Sequence, residues 1–535
     1  MTRIHLYDTT LRDGAQTRGV DFSGADKRAL ALMLDRLGVD TIEAGWPGAN
    51  PADTALYADL PKLRHARFAA FGMTRKAGLR AAADPGLAAV LSAGTPAVCL
   101  VGKSWDFHVT SALGVSLNEA IDMIADTVSY AVEQGREVVF DAEHLFDGWK
   151  ANAPFARDCL RTAAEAGARW LVLCDTNGGT LPHEVDRIVG TMADLLGGDR
   201  IGIHAHDDTG NAAANSLAAV RAGARMIQGT LNGLGERCGN ANLISLIPTL
   251  ALKLGYETGV TAEAMGELTA LSRQVDDRLN RAPDPRAPYV GAAAFAHKGG
   301  LHVSAVAKDA RSYEHVEPSL VGNERHIVVS DQAGRATLMM RLAELDLRLA
   351  ADDPKLAALV AQVKEREAAG FAYDGAGASF ELLVRRALDI GAPPAFFRLA
   401  GFRVVDERRR AADGSIETLS EAQVEVEIGN RPVMVVAQGN GPVDALDTAM
   451  RRALEPIFPA LAGVRLTDYK VRILTPEAGT KAVTRVLIES RDGSGERWST
   501  VGVGANVIDA SYQALEDALI YRLMVQGAET DRAVA

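Results

Sequence analysis

Ile201-Gly202-Ile203-His204-Ala205-His206-Asp207-Asp208 is an apolar run that breaks abruptly into ionisable residues. The apolar part predicts a strand over Ile201–His204. Side chains alternate along a strand, so His204 and His206 share one side, a single pleat apart. Two imidazoles held that way are half of a metal site, because neutral imidazole is the commonest nitrogen ligand. Seven other short apolar runs share this form: Ile4–Tyr7, Thr41–Ala44, Arg67–Phe71, Ala97–Val101, Glu137–Phe140, Trp170–Cys174 and Met226–Gly229. Amphipathic segments lie between them at Ala25–Leu37, Ser116–Gln134, Pro154–Ala166, Pro182–Leu196 and Asn211–Ala222. Gly38, Gly135, Gly167 and Gly223 stand where such helices should stop. Eight strand–helix units in roughly 250 residues predict an α/β fold, a (β/α)8 TIM barrel over residues 1–275. The rival, a doubly wound open sheet, lacks a G-x-G-x-x-G after its first strand.

In such a barrel the chemistry sits at the carboxyl ends of the strands. Strand one ends in Asp8-Thr9-Thr10-Leu11-Arg12-Asp13-Gly14-Ala15-Gln16. Strand five ends in Asp141-Ala142-Glu143-His144 and strand six in Asp175-Thr176-Asn177. Strand eight leads into Asn232-Gly233-Leu234-Gly235-Glu236-Arg237-Cys238-Gly239-Asn240. One such polar end is ordinarily a cap or a loop ion pair, but five at the same end point to a site. Asp13, His204, His206 and Asn240 form a mixed oxygen and nitrogen set suited to a divalent ion such as Mg2+ or Mn2+, with Zn2+ or Co2+ as alternatives. Arg12 would add a fixed cation for a carboxylate or a developing alkoxide. Thr176 would hydrogen-bond a substrate carboxylate or serve as an ordinary turn threonine, and Glu143 would orient catalytic groups or water or pair with a nearby cation.

The bulk composition narrows the class. The 535 residues are 47% hydrophobic and 24% charged, an ordinary globular balance with ample material for a core. A net charge of −12 argues against a nucleic-acid partner and leaves any anionic ligand to a local basic pocket. The four cysteines, Cys99, Cys159, Cys174 and Cys238, form no C-x-x-C pair. That usage, with no apolar leader and no long uncharged apolar span, predicts free thiols in a cytoplasmic protein without a membrane segment.

Residues 276–395 read as mostly helical linker subdomains, with a Pro-rich break at Ala282–Pro288 and a polar, glycine-bearing stretch at Ala296–Ser304. From about 398 the pattern becomes extended, at Phe402–Val405, Ala422–Ile428, Pro432–Ala437, Tyr469–Leu474 and Arg485–Glu489. Here Gly441-Pro442-Val443-Asp444-Ala445 recurs as Asn506-Val507-Ile508-Asp509-Ala510, each heading a helix. A duplicated strand–strand–helix unit follows, giving an α+β C-terminal domain over 396–530. Such a unit forms either a ligand crevice between its halves or a plain dimerisation module.

The runs Asp8–Gln16, His204–His206 and Asn232–Asn240 together resemble the α-isopropylmalate, homocitrate and citramalate synthase family, metal-dependent acyl-CoA condensing barrels. The resemblance spans essentially the whole chain, since the duplicated tail is similar to that family's allosteric domain. The run Glu43-Ala44-Gly45-Trp46-Pro47-Gly48-Ala49-Asn50-Pro51 looks closest to the citramalate synthase branch. The resemblance implies a Claisen-type condensation of acetyl-CoA with a 2-oxo acid, pyruvate in that branch, followed by thioester hydrolysis. In it the ion and Arg12 polarise the ketone. The segment Ala296-His297-Lys298-Gly299-Gly300-Leu301-His302 resembles the family's linker histidine motif, which in these homodimers reaches the partner's active site. His302 and Tyr313, with Glu143, are thereby candidates for proton handling at the acetyl group, and His297 is a further one. A branched-chain amino acid, isoleucine if the product is citramalate, is the implied effector of the tail. The remaining alternatives are isopropylmalate or homocitrate synthesis, a metal-dependent acyl-CoA lyase, and a ligand sensor built on a retired barrel.

Overall fold

The computed structural model describes residues 2–297, 300–327, 335–347, 349–350, 352–410, 413–429 and 431–527. Lys298 and Gly299 of the linker motif, and the last three residues of the expected 396–530 domain, lie outside them.

Eight parallel strands close a barrel: β1 (His5–Asp8), β2 (Thr41–Gly45), β3 (Arg67–Met73), β4 (Ala97–Lys103), β5 (Glu137–Glu143), β6 (Trp170–Asp175), β7 (Ile201–Ala205) and β8 (Met226–Gly229). Closure is direct, with His5 to Asp8 in register against Met226 to Gly229. Several strands run one to three residues past their expected ends. Polar side chains such as Asp8, Glu143 and Asp175 end the apolar run but not the ladder, because the backbone supplies its bonds.

The helices start and stop as their caps dictate. Ser23 caps Gly24–Leu37 in a reciprocal box with Asp26, and Gly38 ends that helix at φ 97°. One expectation is corrected. The helix expected to start at Pro154 instead begins at Leu145 and runs to Glu165, with a break at Asn152 (φ −150°). Its first turn packs against the β4 loop: a Cβ on Gly148 would lie 2.1 Å from the Ser104 carbonyl, so only glycine fits. Two short helices, Pro51–Ala58 and Pro85–Ser92, add to those expected; each has Pro in its first turn behind an Asn50 or Asp84 cap.

Strand alternation sorts the barrel residues. Leu6, Ile42, Val98, Leu100, Leu171 and Ile203 join the large core beneath the helices. The opposite faces fill the interior with Tyr7, Phe71, Cys99, Val101, Val172 and Cys174. Glu43, Asp141, His204 and Gln228 share those interior faces by the same period.

The chain divides into two compact units, Met1–Phe295 with Glu314–Arg325, and Ala296–Tyr313 with His326–Ala535. The return segment is tied to the first unit by polar bonds: Asn323 Nδ2 donates to the Tyr289 and Gly291 carbonyls at 2.8 and 3.0 Å, and Thr269 to Val321 at 2.7 Å.

The second unit contains the helices Pro354–Ala368 and Gly377–Leu388, then two similar halves. Each half is a three-stranded antiparallel sheet followed by a helix: Arg398–Arg410, Ile416–Ile428 and Arg431–Gly439 before Pro442–Leu454, then Arg465–Ile473, Thr484–Arg491 and Arg497–Gly504 before Val507–Val525. The repeat is thus strand–strand–strand–helix, correcting the two-strand unit expected. Arg497–Gly504 escapes an apolar-run reading because it contains Gly502, where a Cβ would meet the Ala510 carbonyl at 1.9 Å. The helix lies directly on that strand. Both halves feed one core, with Leu446 and Met450 packed in the same cluster as Tyr512 and Leu519. Among the described residues no helix is long and apolar enough to cross a membrane.

Candidate active site

The turn after β1 delivers the first two groups. Asp8 accepts from the Thr10 amide and hydroxyl at 2.8 and 2.7 Å, which folds the chain back over the strand end. Burial outweighs those bonds and pushes the Asp8 carboxyl up to about 7. Beyond the turn, Arg12 Nε donates to Glu43 Oε1 at 2.6 Å, and the Tyr7 hydroxyl donates to Glu43 Oε2 at 2.8 Å. The guanidinium carbon lies 4.1 Å from the centroid of the Phe71 ring. Burial works against the Arg12 charge, but Glu43 and Asp13 more than offset it. The arginine is held charged, oriented and stacked.

Asp13 sits 2% exposed at the centre of the mouth. One ligand atom from each of Asp13, His204 and His206 lies within 4.8 Å of the others. Asp13 Oδ2 is 3.3 Å from His204 Nε2 and 3.9 Å from His206 Nε2. Burial raises the Asp13 pKa, yet Arg12 and the two histidines hold it well below the usual carboxylate range. Burial and the neighbouring His204 lower His206 to about 3, so its ring is neutral at physiological pH. Asn240 donates from Nδ2 to Asp13 Oδ2 at 2.7 Å, while its buried Oδ1 accepts no hydrogen bond from the described residues. Room for that oxygen comes from Gly235, where a Cβ would lie 2.1 Å from it. A carboxylate, two imidazoles and an orphaned amide oxygen fit a divalent cation as donors. The residues expected to hold an ion are brought together.

A cavity of about 460 Å³ opens over this cluster, lined by Arg12, Asp13, Glu143, Thr176, His204 and His206 among others. Thr176 Oγ1 accepts the His144 N–H at 2.9 Å, and His144 reaches it by adopting φ 55°. With that lone pair engaged, the Thr176 hydroxyl proton is available to a ligand. Glu143 is ion-paired with Lys103, and both line the cavity. Arg237 clasps the rim, donating to both Asp208 oxygens at 2.8 and 2.9 Å and to the Thr176 carbonyl at 2.7 Å.

His302 and Tyr313 belong to the second unit, where their rings stack at 4.0 Å between centroids. His297 is also in that unit and is buried. Four polar residues of the site escaped the sequence reading in these roles: Glu43, Lys103, Asp141 and Gln228. Burial and Glu43 push the Asp141 carboxyl up to about 6. The period-two alternation that places Tyr7 and Phe71 inside the barrel would have placed Glu43, Asp141 and Gln228 there as well.

The model of the HMGL-like family matches residues 3–273, so the chain belongs to the HMGL-like family. A homocitrate synthase post-HMGL domain-like region follows at 289–370, and a LeuA allosteric (dimerisation) domain at 374–523. Full-length relatives bear a more particular name. The chain is 47% identical to an (R)-citramalate synthase of Synechocystis sp., covering 100% of this chain and 99% of that one. It is 47% identical to that of Aquifex aeolicus, covering 98% of both chains. It is 49% identical to that of Streptomyces coelicolor, covering 98% of this chain and 97% of the other.

Proposed function

We propose that the barrel condenses acetyl-CoA with pyruvate and hydrolyses the resulting thioester to (R)-citramalate and free CoA, in the route to isoleucine. The observation that carries this reading is the buried Asp13–His204–His206–Asn240 cluster beside a charged Arg12. The full-length relatives of that name support it. A divalent ion held by those four residues would supply Lewis acidity to the ketone.

The chain's own groups do the rest. Thr176 donates its hydroxyl proton to the pyruvate carboxylate. Arg12 faces the ketone oxygen, and its fixed positive charge stabilises the negative charge that grows there as the carbon–carbon bond forms. Glu143 removes a methyl proton from acetyl-CoA, with Lys103 beside it. His302 and Tyr313, supplied from the neighbouring copy in a homodimer, share the proton handling at the acetyl group. Water then attacks the thioester carbonyl, the C–S bond breaks, and the CoA thiol leaves. The C-terminal domain binds a branched-chain amino acid, isoleucine for this product, and lowers the rate. The four thiols remain free in the cytoplasm.

The test is thiol release from acetyl-CoA with pyruvate, 2-oxoisovalerate or 2-oxoglutarate, with and without EDTA. Pyruvate should be preferred and EDTA should abolish the rate. A preference for 2-oxoisovalerate would assign isopropylmalate synthesis, and for 2-oxoglutarate homocitrate synthesis. Rates unchanged by EDTA would overturn the metal-assisted reading. Cleavage of citramalyl-CoA without condensation would assign a lyase.

A further inference from the structure

Gln228 on β8 stands in register with His204 on β7. Its Oε1 lies 2.8 Å from His204 Nδ1, and its Nε2 donates to Asp141 Oδ1 on β5 at 2.9 Å. The three side chains form a line through the barrel interior, with Gln228 0%, Asp141 3% and His204 6% exposed. The polarity of this line follows from its end. A carboxylate accepts hydrogen bonds, so the amide nitrogen faces Asp141 and the amide oxygen faces the imidazole. An amide oxygen also only accepts. His204 Nδ1 therefore carries the hydrogen, which leaves Nε2, 3.3 Å from both Asp13 Oδ2 and His206 Nε2, as the one ring nitrogen that can offer a lone pair to an ion.

We propose that Gln228, anchored by Asp141, is a positioning residue that locks His204 in the Nδ1–H tautomer and so prepares it as the leading nitrogen ligand of the ion. His206 is built differently. Its Nδ1 is buried with no hydrogen-bond partner among the described residues, and its polar contacts, with His204 Nε2 at 3.3 Å and Asp13 Oδ2 at 3.9 Å, are all at Nε2, the nitrogen that faces the cluster. The two histidines are thus unequal: His204 is fixed before the ion arrives, and His206 completes the set. A partner of this kind commonly changes metal affinity by about 10–100-fold.

This inference rests on the cluster being a metal site, so the test reads metal binding rather than turnover. Mn2+ is titrated calorimetrically into the full-length wild-type protein, Gln228→Leu, and the double variant Asp141→Asn/Gln228→Glu. Gln228→Leu removes the acceptor at Nδ1 and should weaken Mn2+ about 10–100-fold. The double variant reverses the donor and acceptor between the two side chains while keeping an acceptor at His204. Its affinity should stay within about threefold of wild type, a rescue that a merely structural role for Gln228 does not explain. In parallel, 15N-histidine spectra of the Zn2+-loaded wild type should show hydrogen on His204 Nδ1.

The ways of failing are separate. No Mn2+ binding by the wild type would overturn the metal-site reading itself. Wild-type affinity in Gln228→Leu, or hydrogen on His204 Nε2, would overturn the relay and leave the site standing. If Gln228→Leu does not fold, the double variant and the tautomer spectrum decide the matter alone.

Discussion

Arg12 and Glu43 meet end-on, Nε to Oε1 at 2.6 Å, and Tyr7 closes the second carboxylate oxygen at 2.8 Å. The guanidinium is therefore aimed by a buried carboxylate that has no exposure of its own. Removing one member of a buried charged hydrogen-bonded pair is worth about 1.5–3 kcal/mol. Glu43→Gln should lower kcat/KM for pyruvate by roughly 10–100-fold while Mn2+ affinity changes little, because Glu43 touches none of the ion's ligands. Pyruvate saturation curves beside a Mn2+ titration check this. An unchanged kcat/KM would remove Arg12 orientation from the mechanism.

The metal cluster predicts a stability effect independent of turnover. An ion that binds only the folded chain stabilises it by about 2.7 kcal/mol at a hundred times its Kd. Mn2+ should raise the melting temperature of the EDTA-stripped protein. Asn240→Leu should reduce that rise, since it removes both the bond to Asp13 and the orphaned Oδ1. A thermal shift in wild type that Asn240→Leu reproduces in full would take Asn240 out of the set.

Asp8 carries a pH signature. Its folded pKa of about 7 lies above the ordinary value of 3.8 because burial penalises the charge. Between those values the folded state binds the proton more tightly than the unfolded one, so this group's contribution to stability falls as pH rises and levels off above about 7. Asp8→Asn keeps an acceptor for the Thr10 amide but has no charge to bury. Relative to wild type, it should gain roughly 2 kcal/mol between pH 5 and pH 8. Denaturant melts at the two pH values measure this, and a constant difference would refute it.

In the C-terminal domain, Gly502 allows Val507–Val525 to lie on its sheet. Gly502→Val would force the helix off the strand, an overpacking cost of about 1–3 kcal/mol. It should lower the melting temperature and weaken inhibition by isoleucine while basal condensation stays near wild type. Thiol release with and without isoleucine checks both limbs, and full inhibition in the variant would count against regulation through this half.

The barrel strands were legible because each apolar run is short and is followed by a helical period ending in glycine. Arg12, Asp13, His204, His206 and Asn240 were legible because they stand at the ends of such runs or in the loops that follow, where side chains gather at the mouth. Glu43 and Gln228 were not, since a lone polar residue inside an apolar strand has no visible partner in sequence. Their partners lie on other strands, Arg12 across 31 residues and Asp141 across 87, and only closure of the barrel brings them together. The early start of the Leu145–Glu165 helix was hidden by Asn152 and Pro154, which mimic a boundary. The third strand of the second half was hidden by the glycines that let a helix lie against it. His302 and Tyr313 came from family resemblance alone, and both belong to the second unit.

The 2.7 Å bond from Asn240 to Asp13 spans 227 positions, nearly the full circuit from β1 to the loop beyond β8. During synthesis the carboxylate emerges among the first residues and waits for its amide until the last strand has been made. No nascent fragment ending before Asn240 holds the four donors together. The same bond lies at the seam where β8 closes on β1, so an ion seated there would clasp the two ends of the sheet. Metal uptake would then report a completed barrel, since a chain that ends before Asn240 would offer an ion an incomplete set of donors.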